Sequence, residues 1–183
     1  DLSLSMRYGG YFGPAKKVTM ALHALIRGQF PRDSLYIIGF SLYARTFTPE
    51  QLPKVTVADA GRGTNMHGGF MLARQLLSRH KGGNKQVIVV TDGEPTAHME
   101  GGQAVFTYPY TEESEEETLK EVMRCTRDRI TINTFMMDQS ARLTAFVDRL
   151  TRINKGRAFY ATPDRLGEYV LVDYVASKRR TVV

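Results

Sequence analysis

Asp1, Ser3 and Ser5 stand at alternate positions, and two later stretches, Gly63-Thr64-Asn65 and Thr91-Asp92-Gly93, add another hydroxyl and another carboxylate. In an extended or gently turning segment, alternate side chains point the same way, so the first three are expected to face one point. Asp1, Ser3, Ser5, Thr64 and Asp92 together offer two carboxylates and three hydroxyls. All are hard oxygen donors, with no nitrogen or sulfur among them. Such a set suits Mg²⁺, admits Mn²⁺ or Ca²⁺, and does not suit zinc.

These loops need a scaffold, and the hydropathy pattern predicts one. Residues 14–27 place Val18, Leu22, Leu25 and Ile26 at helical spacing behind Pro14. Leu35 to Ser41 is a near-continuous apolar run that reads as a buried strand. Thr46 to Val57, broken by Pro49 and Pro53, reads as a more exposed strand or loop. A helix from about Thr64 to His80 turns Phe70, Leu72, Ala73, Leu76 and Leu77 to one face. Gln86 to Thr91 is the clearest strand and ends on Asp92-Gly93. A helix capped by Thr111 or Ser114 runs to about Arg127, and Ile130 to Met137 forms a third strand. Residues 140–153 form a helix and Arg157 to Thr162 a short strand; a last helix, Leu166 to Lys178, turns Tyr169, Val170, Val172 and Val175 inward. Alternating strands and helices predict an α/β fold, a doubly wound, mostly parallel sheet with helices on both faces. Ligands of such sheets sit beyond the carboxyl ends of the strands.

The 183 residues, 42% apolar and 24% charged, fit a single domain over 1–183 with no internal repeat or linker. One cysteine, Cys125, leaves no internal disulfide and points to a reducing, cytoplasmic setting. No run of 18 apolar residues exists, so no membrane-spanning helix is expected. The net charge of +6 is scattered along the chain and gathers only at Lys178-Arg179-Arg180, which does not make a nucleic-acid face. Glu112, Glu113, Glu115, Glu116 and Glu117 read as the solvated first turn of a helix, where negative charge suits the dipole.

The set Asp-x-Ser-x-Ser (Asp1, Ser3, Ser5), the glycine-led Gly63-Thr64-Asn65 and the strand-terminal Thr91-Asp92-Gly93 resembles the metal-ion-dependent adhesion site of von Willebrand factor A domains. All five ligand positions match, and the element order matches over essentially the whole chain. The run Thr91 to His98 is similar to a bacterial, intracellular branch whose members work beside MoxR-like AAA+ ATPases, as in the CoxE-like and magnesium-chelatase groups. The resemblance implies that Ser3 and Ser5 bind the metal directly, Thr64 and Asp92 directly or through water, and Asp1 mostly through water. An ion held largely by neutral hydroxyls keeps much of its charge and favours a carboxylate from outside. The implied activity is therefore metal-bridged recognition of an Asp or Glu on a protein partner, with no turnover. In that family the motif's Asp ends a central strand. The polypeptide is accordingly expected to continue upstream of Asp1, with the first central strand lying there and this domain forming the carboxyl-terminal part.

Other readings of the same residues are weaker. Asp1 as the nucleophile of a haloacid-dehalogenase-type phosphohydrolase needs an Asp two residues on, and Ser3 stands there. His67 and His98 fall near the site and could join a carboxylate in a metal centre. Gly61, Gly63, Gly68 and Gly69 fit no nucleotide-binding loop. Cys125, with no His partner, reads as a buried small side chain, and Met66, Met71, Met136 and Met137 as core filling. The stretch from Glu94 to Glu117, with Gly101-Gly102 and Tyr108-Pro109-Tyr110, is expected to be a disordered insertion on the metal-bearing rim.

Overall fold

Along the strand Lys85–Thr91, Val87 and Val89 pack into one apolar cluster and Ile88 and Val90 into another, so helices must cover both of its faces. They do so in the computed structural model, which describes residues 1–108 and 111–179. Pro109, Tyr110 and Arg180, which belong to the rim stretch and the basic cluster, lie outside the described residues, as does the Arg179 side chain.

The elements run α1 (Leu4–Tyr8), α2 (Phe12–Gln29), β1 (Ile37–Phe40), β2 (Ala44–Phe47), α3 (Met66–Leu77), β3 (Lys85–Thr91), β4 (Ala97–Glu100), β5 (Gln103–Phe106), α4 (Glu112–Arg127), β6 (Ile130–Met136), α5 (Ala141–Asn154), β7 (Ala158–Tyr160) and α6 (Leu166–Arg179). β3, β6 and β7 form a parallel sheet, with Lys85 opposite Ile130 and Thr91 opposite Met136. β1 and β2 pair antiparallel beside it, and β4 and β5 form a separate hairpin. Phe70 of α3, Leu119 and Val122 of α4 and Phe146 of α5 pack on one face; Val18, Leu22 and Ile26 of α2 and Val170 of α6 pack on the other. The doubly wound α/β arrangement agrees with the sequence pattern. β1 and β3 share no ladder; Leu2 N–H donates to the Phe40 carbonyl at 2.7 Å and the Asp1 amino group to the Val90 carbonyl at 3.1 Å, bridging their carboxyl ends.

Several expectations change. The stretch 94–117 is ordered where described. Gly101 and Gly102, at φ +57° and +85°, make the two-residue turn between β4 and β5 that left-handed backbone favours. The second strand lies at Ala44–Phe47, ahead of both prolines: Pro49 falls in the turn that follows it and Pro53 in a short 3₁₀ helix, Leu52–Lys54. Val172 is 62% exposed; Leu166, Val170 and Tyr174 make the inward face of α6 instead. Met71 points outward while Met66, Met136 and Met137 are buried. The acidic run is not wholly solvated, since Glu115 is buried and ion-paired to Arg149. On the same helix Glu121 is fully buried between Arg74 at 2.6 Å and Arg124 at 2.8 Å, tying α4 to α3. Cys125 is buried as expected, and burial pushes its thiol up to about 12.

Candidate metal centre

Asp1 and Leu2 run between β1 and β3, and the chain turns into α1 directly after Ser3, its N-cap residue at φ −69° and ψ 160°. β3 delivers Asp92 just beyond its carboxyl end. The third loop is pinned by Asn65, which caps α3. Its Oδ1 accepts from the Gly68 N–H and its Nδ2 donates to the Leu42 carbonyl, both at 2.8 Å. Gly63, at φ +77°, has the Phe106 ring against it, so a side chain there is both strained and obstructed. Thr64 follows, its N–H donating to Thr96 Oγ1 at 2.9 Å and its carbonyl accepting from Thr96 N–H at 3.2 Å. The hairpin is thereby stitched to the loop that carries Thr64.

The three loops converge. Ser3 Oγ and Ser5 Oγ lie 2.9 Å apart, and Ser5 Oγ donates to Asp92 Oδ1 at 2.9 Å. Ser3, Ser5, Thr64 and Asp92 line one groove of about 660 Å³. Asp1 stands behind it, with Oδ1 accepting from the Ser3 N–H and Oδ2 from the Thr91 hydroxyl, both at 2.7 Å. The picture of three side chains aligned by an extended segment is corrected here. Ser3 ends the extended part and Ser5 sits in the first turn of α1, so the onset of the helix, not a period of two, brings the two hydroxyls together. Asp1 braces the loop instead of opening onto the groove, which also removes it from the place a nucleophile needs.

Burial lifts the Asp92 carboxyl above the ordinary carboxylate range, and the nearby Asp138 adds to this, while the Ser5 hydroxyl pulls the other way. A cation in the groove would favour the ionised form. Among the described residues no group of three or more His, Cys, Asp or Glu side chains is placed to hold a metal.

His67 and His98 belong to the scaffold. His67 Nδ1 accepts from the Met99 N–H at 3.1 Å, holding β4 to α3, and burial lowers its pKa. His98 Nδ1 lies 3.0 Å from Ser114 Oγ. The groove also contains residues that sequence reasoning passed over: Arg62, Phe106 and Tyr108 on one side, Asp138, Ser140 and Arg142 on another. Asp138 and Ser140 follow directly on β6, so the rule that sites gather beyond strand ends could have found them.

The sequence model of the family described as Rv0959-like protein, vWA domain matches residues 1–175. The uncharacterized protein Rv0959 of Mycobacterium tuberculosis (strain ATCC 25618 / H37Rv) is 35% identical over 185 residues, covering 98% of this chain and 27% of its own length. The uncharacterized protein Mb0984 of Mycobacterium bovis aligns equally well. The chain thus spans about a quarter of the curated relatives it matches. Two solved structures share the fold. A von Willebrand factor type A protein from Catenulispora acidiphila has a TM-score of 0.64 at 17% identity, covering 92% of this chain and 38% of its own. Proximal thread matrix protein 1 from the mussel byssus has a TM-score of 0.62 at 16% identity, covering 92% of this chain and 43% of its own. With its doubly wound sheet and its family match over residues 1–175, the chain belongs to the Rv0959-like von Willebrand factor A domain family.

Proposed function

We propose that this domain is a Mg²⁺-dependent protein-interaction module. Ser3, Ser5 and Asp92 would hold the ion, Thr64 would complete the set from the floor of the groove, and Asp1 would fix the loop from behind. The ion would supply a positive centre, only partly neutralised by one carboxylate and the hydroxyls, that attracts an Asp or Glu side chain of a protein partner. The observation that carries this reading is the continuous Ser3–Ser5–Asp92 contact, which gathers hard oxygen donors from separate loops in a groove open to solvent. The same residues offer no activated nucleophile, so the reading is binding without turnover.

The likeness of Thr91 to His98 to the intracellular branch supports a MoxR-like AAA+ ATPase as the partner and a bacterial, cytoplasmic setting. Among the described residues no helix is long and apolar enough to cross a membrane. The test is co-purification from cells with the full-length protein, with and without EDTA, beside the Asp92→Ala variant. The reading expects an ATPase subunit that is lost on chelation and in the variant. A partner retained unchanged in both would overturn it.

A further inference from the structure

Phe106 and Tyr108 are large aromatic side chains held in the open. Phe106 is 38% exposed and Tyr108 82%, and both line the groove that holds Ser3, Ser5, Thr64 and Asp92. Their backbone is tied down. Thr107, between them, donates its N–H to the Thr96 carbonyl at 3.1 Å, and Thr96 is bonded twice to Thr64, at 2.9 and 3.2 Å. Phe106 stands opposite Ala97 in the hairpin register, with its ring against Gly63, the residue before Thr64. A short chain of hydrogen bonds therefore fixes both aromatic residues at a set offset from Thr64. An aromatic ring left in water forfeits the gain of covering its apolar surface, so two on one groove offer a partner apolar area to cover. Because the backbone that bears them is already ordered, covering them costs little further ordering on this side of the contact.

The charges around the groove limit what else the partner carries. Among the described residues that line it are three carboxylates, Asp92, Glu94 and Asp138, and two guanidinium groups, Arg62 and Arg142, which leaves one negative charge in excess. A divalent ion turns this into one positive charge in excess. One carboxylate from outside balances it, whereas a run of acidic residues overshoots and meets Glu94 and Asp138.

We infer that the groove takes a protein segment in which a single Asp or Glu has a large apolar neighbour, the carboxylate on the ion and the apolar side chain on Phe106 and Tyr108. This rests on the metal-dependent reading above and adds the apolar half of the recognition. Exposed carboxylates are common to protein surfaces, so the ion alone selects little; the apolar neighbour supplies the selectivity.

Three dye-labelled peptides built on Leu-Asp-Leu, Gly-Asp-Gly and Asp-Asp-Asp test this by fluorescence polarisation on the full-length protein in saturating Mg²⁺. Leucine on both sides makes the result independent of chain direction. Covering about half of a leucine-sized side chain predicts about tenfold tighter binding of the leucine peptide than of the glycine peptide, with the triple-Asp peptide no tighter than the glycine one. Equal affinity for the leucine and glycine peptides, tightest binding of the triple-Asp peptide, or no detectable binding of the leucine peptide would overturn the inference. Tyr108→Ser, with Phe106→Ser as a second variant, should cut the leucine preference to about threefold or less, while Mg²⁺ affinity read by calorimetry stays within about twofold in Tyr108→Ser. The full preference retained in both variants would overturn the inference. The outcomes also separate it from the reading it rests on. A protein that takes up Mg²⁺ yet shows no leucine preference defeats the inference alone, whereas peptides that bind equally well in EDTA defeat the metal-dependent reading and the inference with it.

Discussion

Ser5→Ala separates metal binding from folding. Ser5 Oγ is the middle member of the contact chain, 2.9 Å from both Ser3 Oγ and Asp92 Oδ1, yet Ser5 is solvent-exposed. In the metal-free protein, water can replace its hydroxyl at Asp92, so the loss of stability stays below about 1 kcal/mol. For a domain of this size that is a fall in Tm of at most about 4 °C. When an ion is bound, the hydroxyl can keep its proton on Asp92 while its oxygen faces the metal, so the hydrogen bond cancels between the two states and the lost ligand does not. A site deprived of one fixed oxygen should bind Mg²⁺ or Mn²⁺ about 10- to 100-fold more weakly, or about 1.4–2.8 kcal/mol. Calorimetric titration with Mn²⁺, beside thermal melts in EDTA, reads both quantities on the same protein. Affinity within about twofold of the unaltered protein would refute the reasoning, because Ser5 would then not face the ion.

Two other outcomes follow from the electrostatics. Because burial holds the Asp92 carboxyl above its ordinary range, protons compete with metal at a higher pH than for an exposed carboxylate. Mg²⁺ affinity should drop as pH falls through that raised value; affinity that is flat from about pH 7 to pH 4 would contradict it. Without metal the sign reverses. A carboxyl that binds its proton more tightly when folded contributes stability at low pH and loses it as pH rises through its folded value. At the α3–α4 contact, Arg74→Ala leaves the fully buried Glu121 with Arg124 as its remaining cation in contact and should cost about 2–4 kcal/mol in urea denaturation. Glu121→Leu, which frees two half-exposed arginines to water, should cost less, and the opposite ranking would show that the pair is not what Glu121 is buried for.

The parts legible in the sequence are those in which one physical signal dominates. Gln86 to Thr91 is apolar enough to be nothing but a buried strand, and Asp92 follows it directly, so the metal-side loop could be placed. α1 was not legible: five residues, Leu4–Tyr8, are too few to show a helical period, and without that helix the three-residue motif reads as an extended one. The hairpin did carry a signal. Gly101-Gly102 between His98-Met99 and Val105-Phe106 is the pattern of a two-residue turn, but a stretch rich in glycine and glutamate also reads as insertion. The pairing of Thr96 with Thr64 that docks the hairpin joins residues far apart in the chain, and no local pattern records it. Val172 illustrates a limit of periodicity, since α6 meets the sheet through Leu166, Val170 and Tyr174, a face chosen by α2 opposite.

The central claim is that the Ser3, Ser5, Thr64 and Asp92 groove holds a Mg²⁺ ion. Calorimetric titration of the full-length protein with Mg²⁺, Mn²⁺ and Ca²⁺, beside Asp92→Ala, tests it most directly. A set with one carboxylate and neutral hydroxyls suits Mg²⁺, which keeps several waters, better than Ca²⁺; the account predicts one site per chain, Mg²⁺ and Mn²⁺ preferred to Ca²⁺, and binding lost in the variant, whereas unchanged affinity in Asp92→Ala, or a site that takes Ca²⁺ most tightly, would contradict it.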